Sequence, residues 1–129
     1  MPRREEIRAA GVAPPMGLFV DAVRFGDLVF VSGSVGIDAD GALAGPDIES
    51  QTRQMLRNIG AALEAAGASF ADVLRETTYV LDIEQRAAMR PVRAEFYGTM
   101  RPASTLVEVS ALAVPGALVE MDVVAGVPS

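Results

Sequence analysis

Two carboxylates stand in the last apolar segment of the chain. The segment LVEMDVVA alternates apolar and acidic residues, which puts Glu120 and Asp122 on the same side of a predicted strand. Apolar neighbours such as Leu118 and Val124 can raise the pKa of a carboxyl group, which would suit Glu120 to act as a general base for water. The same alternation is typical of a strand with one solvated face, and the pattern alone favours that simpler interpretation.

The residue types that are missing narrow the possible chemistry. The chain has no Cys and no His, and all 11 of its basic residues are Arg. It therefore cannot form a disulfide, a Cys/His metal site, a Ser–His triad, a Schiff-base lysine or a phosphate-binding P-loop. We expect no metal and no organic cofactor. Carboxylates, guanidiniums, hydroxyls and backbone groups remain, and that set suits carbonyl or imine chemistry with water.

Length and charge limit the class of protein. The 129 residues, 50% hydrophobic and 22% charged, fit one globular domain over 1–129. A net charge of -6 with only 5% aromatic residues disfavours a nucleic-acid partner. No apolar run is long enough to cross a membrane, and the start, MPRREEIRAAGVAPP, has no apolar signal region, so a cytoplasmic location is expected. Residues 1–16 are expected to be loosely held.

Hydrophobic periodicity predicts an α+β order of ββαβαββ. The predicted strands cover 18–22, 28–34, 74–82, 105–112 and 118–125, the last two joined by a turn at Pro115-Gly116. A helix begins at Ile48 behind the capping residue Asp47 and ends at Gly67. A second helix falls within 83–98, where Pro91 either starts the main helical segment or kinks a longer one.

Two amphipathic helices can cover only one face of a single sheet. The apolar residues of the other face would then form a large exposed patch. A homo-oligomer that packs sheet against sheet is therefore the physical expectation.

Several segments together resemble the RidA/YjgF family of reactive-intermediate (enamine/imine) deaminases. They are VSGSVGID, QTRQMLRNIGAALEAAGASFADVLRETTYVLDI, RPASTLVEVSAL and LVEMDVVA, in family order and spacing from Phe19 to Ala125. The resemblance implies a chorismate-mutase-like fold and a barrel-like homotrimer with clefts at its subunit interfaces. It also implies hydrolysis of a small enamine or imine to a ketone and ammonia without a cofactor.

The resemblance also nominates site residues. Glu120 matches the family glutamate that positions the hydrolytic water, and Ser32 matches the serine after the second strand. Ser104 stands where a family arginine grips the carboxylate of a 2-imino acid. Two other positions of the expected cleft also differ from the family: Phe19 replaces a tyrosine, and Leu106 replaces a small residue, often cysteine. The cleft is therefore expected to take something other than a simple 2-imino acid, or to bind ligands without catalysis.

Four residues are candidates for the missing anion clamp. Ser104 and Thr105 either cap a strand or form a weak anion cradle from hydroxyls and backbone N–H groups. Arg90, where the family commonly has asparagine, and Arg101 could supply the bidentate grip, or could be solvated side chains. Arg90 is the preferred candidate because the equivalent position faces the cleft in the family. Asp122 and Glu108 are interpreted as surface or interface charges.

Overall fold

Six strands form one sheet, and two helices cover one of its faces. In the computed structural model, which describes residues 1–128, the strands lie in the order β1-β2-β3-β6-β4-β5. The strands are β1 Arg4–Ile7, β2 Ala22–Phe25, β3 Leu28–Val35, β4 Val73–Val80, β5 Ala103–Glu108 and β6 Val119–Gly126. The helices are α1 Ile48–Ala65 and α2 Arg86–Tyr97. The predicted α+β architecture, with both helices on one side of a single sheet, is confirmed.

Helix α1 has the ends that its sequence predicts. The Asp47 carboxylate accepts a hydrogen bond of 2.9 Å from the Ser50 N–H, which satisfies a free donor of the first turn. The chain leaves the helix through Gly67, whose positive φ of 88° suits glycine. The helix buries a stripe of residues against the sheet: Ile48, Met55, Leu56, Ile59 and Leu63.

Helix α2 contains Pro91 in its interior. A short 3₁₀ turn over Ile83–Gln85 precedes the helix, which then runs through Pro91 to Tyr97. Of the two alternatives for Pro91, the longer helix is the one observed. Proline cannot donate a hydrogen bond to the carbonyl group one turn earlier, but Met89, Val92 and Tyr97 are buried. The packing of this face holds the helix together across the missing bond.

The last strand of the chain occupies the middle of the sheet. β6 is antiparallel to both β3 and β4, whereas β5 pairs in parallel with β4 after the α2 crossover. The last two strands therefore do not pair with each other, although joining them by a turn at Pro115-Gly116 suggested a hairpin. β6 takes the central place because its alternate residues are all buried, and an edge strand would leave such residues less well covered. The buried residues are Val119, Met121, Val123 and Ala125.

An additional strand lies at the N-terminus. β1 pairs with β2 from Arg4↔Phe25 to Ile7↔Ala22, so residues 1–16 are not all loosely held as expected. The observed order is βββαβαββ. The charged segment REEI gives no strand pattern, and it is placed by its register with β2 and by Ile7, which packs on the core. The first strand predicted at 18–22 is also shifted, because β2 begins at Ala22.

The sheet face opposite the helices carries an uncovered apolar patch. Phe25, Leu28 and Phe30 are 51%, 43% and 47% exposed. Register places Phe25 beside Leu28, and Phe30 between Val23 and Val124, so the five side chains are contiguous. We call these five residues the outer-face patch. Within residues 1–128, no helix has the length and apolar character needed to cross a membrane.

Candidate functional site

A cavity lies at the junction of β3, β6 and the loop before β2. It has a volume of about 390 Å³, and Phe19, Ser32 and Glu120 all contribute to its wall. Other lining groups are residues 12–16, Asp21, Gly33, Ser34, Val35, Ile37, Asn58, Ala62, Ala113 and Val114. The structure therefore brings together three residues that lie far apart in the sequence and that the family resemblance nominated. This volume lies within the range of small-molecule sites.

An irregularity in β3 shapes the wall of this cavity. Val31 pairs with Val123 and Ser34 pairs with Met121, so Ser32 and Gly33 together oppose a single residue of β6. Two residues facing one is a β-bulge, a feature that commonly re-aims side chains beside functional sites. A side-chain carbon at Gly33 would collide with Oε2 of Glu120. Glycine at this position therefore leaves the space that the Glu120 carboxylate occupies.

Ser32 anchors the loop that carries Phe19. Its Oγ donates a hydrogen bond of 2.6 Å to the Val20 carbonyl, and its backbone N–H donates one of 3.0 Å to the Asp21 carbonyl. The hydroxyl proton is thus engaged, whereas the oxygen can still accept a hydrogen bond. Phe19 is 50% exposed at the cavity wall, so its ring is available to a ligand or to another copy of the chain.

Glu120 has the electrostatic setting of a general base. Its side chain is half-buried, and this burial, with a smaller contribution from the charge of Asp122, raises the pKa of its carboxyl group. Tyr79 donates a hydrogen bond of 3.0 Å to Oδ2 of Asp122 and holds that second carboxylate beside Glu120. A raised pKa makes the Glu120 carboxylate a better proton acceptor from water.

The remaining nominated residues lie outside this cavity. Ser104 and Leu106 line a second, much smaller recess of about 30 Å³, together with Thr78, Arg86, Met89 and Arg93. The Thr105 hydroxyl instead accepts a hydrogen bond of 3.2 Å from Arg75. Arg90 is exposed on α2 and lines neither space. Arg101 donates to the carbonyls of Gly98 and Met100, so it fastens its own loop.

Sequence reasoning missed a buried polar cluster behind Ser104. Glu76 is completely buried. Its carboxylate accepts hydrogen bonds from Tyr97 (2.9 Å) and Ser104 (3.0 Å) and forms an ion pair with Arg93. Burial raises the pKa of Tyr97 to about 12, against a smaller opposing effect of Arg93, so the phenol remains a donor at neutral pH. The guanidinium beside Ser104 is thus Arg93, one helical turn beyond the preferred candidate Arg90.

A sequence signal for this cluster was available. In LRETTYV, alternation places Glu76 on the same face as Thr78 and Val80, which is the core face of the strand. A charged residue at a core position requires a partner, because an unpaired buried charge is strongly unfavourable. Arg93 meets that requirement from the facing helix.

Most of the chain matches known proteins. Residues 10–127 match the family model described as Endoribonuclease L-PSP. A RutC family protein of Pyrococcus horikoshii is 39% identical over 123 residues, covering 95% of this chain and 97% of the relative. Reactive Intermediate Deaminase A, chloroplastic, of Arabidopsis thaliana is 30% identical over 111 residues, covering 84% of this chain and 59% of that protein.

Solved structures show the same fold. A protein of the conserved Rid family from Yersinia pestis superimposes with a TM-score of 0.91 at 36% identity, covering 97% of this chain and 100% of that one. RidA from an Antarctic Psychrobacter superimposes with a TM-score of 0.89 at 28% identity, covering 95% and 98%. The chain therefore belongs to the YjgF/RidA family, and the resemblance inferred from its motifs is confirmed.

Proposed function

We propose that the protein hydrolyses an enamine or imine to a ketone and ammonia, with Glu120 handling the water. The observation that carries this proposal is the half-buried Glu120 carboxylate in the wall of a 390 Å³ cavity, beside Ser32 and Phe19. A relative at 30% identity is named a reactive intermediate deaminase, which supports the same chemistry.

The proposed reaction uses only groups that this chain possesses. The imine form of the substrate places its C=N carbon near Glu120. The carboxylate accepts a proton as water forms a C–O bond to that carbon, and the C=N electron pair moves to nitrogen. Glu120 then passes this proton to nitrogen, which gives a neutral carbinolamine. The hydroxyl proton of the carbinolamine next moves to nitrogen as the C=O bond forms and the C–N bond breaks, so that ammonia leaves and a ketone remains. Imine and water are thus converted to ketone and ammonia, with no oxidation or reduction.

The charge of the cavity favours a substrate without a carboxylate at its reacting end. Asp21 and Glu120 both line the cavity, and no arginine within residues 1–128 does so. Two carboxylates attract a neutral or protonated imine more than a carboxylate anion. A simple 2-imino acid is therefore not the proposed substrate.

The proposed active assembly is a homotrimer. The outer-face patch supports it, because a contiguous apolar surface on a small protein is usually covered by another copy or by a partner. The resemblance to the RidA/YjgF family implies the same assembly, with the clefts completed between subunits.

The test compares Glu120→Gln with a matched surface variant. Neutral imines are generated in situ by an amine oxidase, 2-imino acids by an amino-acid oxidase, and ammonia release is followed. We expect wild type to accelerate hydrolysis of neutral imines, and Glu120→Gln to lower that rate about 10² to 10⁴-fold, the range of general base catalysis. Glu64→Gln, an exposed position on α1, should leave the rate unchanged.

Two results would contradict the proposal in different ways. An unchanged rate in Glu120→Gln would make this residue structural. Absence of activity on both substrate classes would favour the alternative, a non-catalytic trimer that binds small molecules or proteins. That alternative has its own support, because Ser104 and the nearby Arg93 are both engaged with Glu76 and leave no obvious clamp for a substrate anion.

A further inference from the structure

The carboxylate of Glu76 is held inside the protein by three donors from two elements, β5 and α2. It lies on the helix-facing side of β4, where its side chain has no exposed surface. Ser104 of β5 and Arg93 of α2 both reach Oε1, and Tyr97 at the end of α2 donates to Oε2. A buried carboxylate that accepts several hydrogen bonds is held firmly in position by them.

Two of these donors also border the recess at Ser104. Arg93 and Ser104 line it, and they are the cation and the hydroxyl that an incoming anion would need. Nε of Arg93 is buried and has no acceptor, so this N–H is closed to a ligand arriving from solvent. The second arginine of the recess, Arg86, donates to the carbonyl of Ile83 and is exposed.

We propose that Glu76 is a built-in carboxylate that occupies the anion-binding groups of this recess and so excludes substrates that carry a carboxylate there. A substrate anion could pair with Arg93 only by leaving Glu76 buried without its cation. The free energy lost by burying Glu76 unpaired exceeds the free energy gained from a solvated ion pair between Arg93 and the substrate. An imine that reaches this recess would therefore gain nothing from a carboxylate group there. Naming an imine rests on the proposed function, whereas the exclusion of carboxylates concerns binding alone.

The test measures carboxylate binding directly, with pyruvate as the probe. The Nε–H signal of Arg93 is followed by NMR during a pyruvate titration of wild type, Glu76→Gln and Glu95→Gln. Gln keeps one oxygen, which can accept from either Ser104 or Tyr97, and removes the negative charge. Glu95→Gln is the matched control, because it also breaks an Arg–Glu pair, at 2.9 Å to Arg53, on the exposed face of α2.

The expected result is a gain of binding in one variant only. Pyruvate should leave the Arg93 signal of wild type and Glu95→Gln unchanged at millimolar concentration. In Glu76→Gln it should shift the signal, with binding tighter by about tenfold to a hundredfold, the value of a hydrogen bond to a charged group. The inference would be overturned if pyruvate shifted the Arg93 signal of wild type, or if folded Glu76→Gln bound pyruvate no more tightly than wild type does.

The result remains decisive under two complications. If Glu76→Gln does not fold, the wild-type titration still decides, because saturable binding of pyruvate at Arg93 would show that Glu76 does not exclude it. A protein inactive on every imine would refute the proposed function. The pyruvate titration would still test the role of Glu76, because it measures binding and not activity. The two failures are therefore distinguishable.

Discussion

Replacing Arg93 with methionine should expose how much the fold depends on its pairing with Glu76. Methionine keeps an apolar stem that can pack on Tyr97 and removes only the charged head. Glu76 would remain completely buried with two neutral donors and no cation. Removing one partner of a buried pair costs about 3–5 kcal/mol. The two remaining donors place the expected loss in unfolding free energy at the lower end, about 3 kcal/mol.

A second arginine provides the comparison. Arg53 pairs with Glu95 at the surface, where the two side chains are 34% and 52% exposed. Because such pairs contribute about 0–1 kcal/mol, Arg53→Met should have little effect. The double variant Glu76→Gln/Arg93→Met should be more stable than Arg93→Met alone, since it no longer buries an unpaired charge.

Denaturant unfolding at one fixed protein concentration measures these differences. Fixed concentration is required because unfolding of an oligomer depends on it. A loss in Arg93→Met no larger than that in Arg53→Met would refute the reasoning. The Glu76–Arg93 pair would then behave as a solvated surface pair, and the exclusion of carboxylates inferred from it would lose its basis.

Three further predictions concern pH and assembly. Because the charge of Asp122 helps to raise the pKa of Glu120, activity that needs ionised Glu120 should begin at lower pH in Asp122→Asn, and an unmoved pH–rate profile would contradict this role. The raised pKa of Glu120 also affects stability. Because a carboxyl group whose pKa is raised in the folded state lowers the free energy of unfolding as pH rises through that pKa, Glu120→Gln should melt at a higher temperature than wild type at neutral pH but not at acidic pH. Phe30→Asp puts a charge in the outer-face patch and should lower the mass measured by light scattering from about three copies toward the 13.5 kDa of one. A wild-type protein that is already monomeric at micromolar concentration would remove the trimer from the proposal.

Local signals in the sequence were enough for much of the fold. The helix from Ile48 follows from its periodicity and its Asp47 cap, and both helices fall where the pattern predicts. The sheet order was harder, because strand pairing depends on contacts between distant segments. β1 lacks a strand pattern of its own, and the central place of β6 depends on the α2 crossover that sends β5 to the edge.

The candidate site was predictable only in part. The structure places Glu120, Ser32 and Phe19 at one cavity, whereas periodicity alone favoured a solvated face for Glu120. The cluster at Glu76 was missed because the search for a cation followed the family position of Arg90. Arg93 faces the sheet instead, since three residues along a helix place it about 60° around the helix axis from Arg90.

The central position of the last strand has a consequence for synthesis of the protein. β6 is the only strand that joins β1, β2 and β3 to β4 and β5 within the described residues 1–128. Until residues 119–126 have emerged from the ribosome, β3 and β4 each lack a neighbour, and the core faces of both remain without the apolar residues that β6 inserts between them. The nascent sheet must therefore wait, with two open edges, for residues 119–126 before it can close, and during that interval chaperones or premature pairing with another chain compete for those edges.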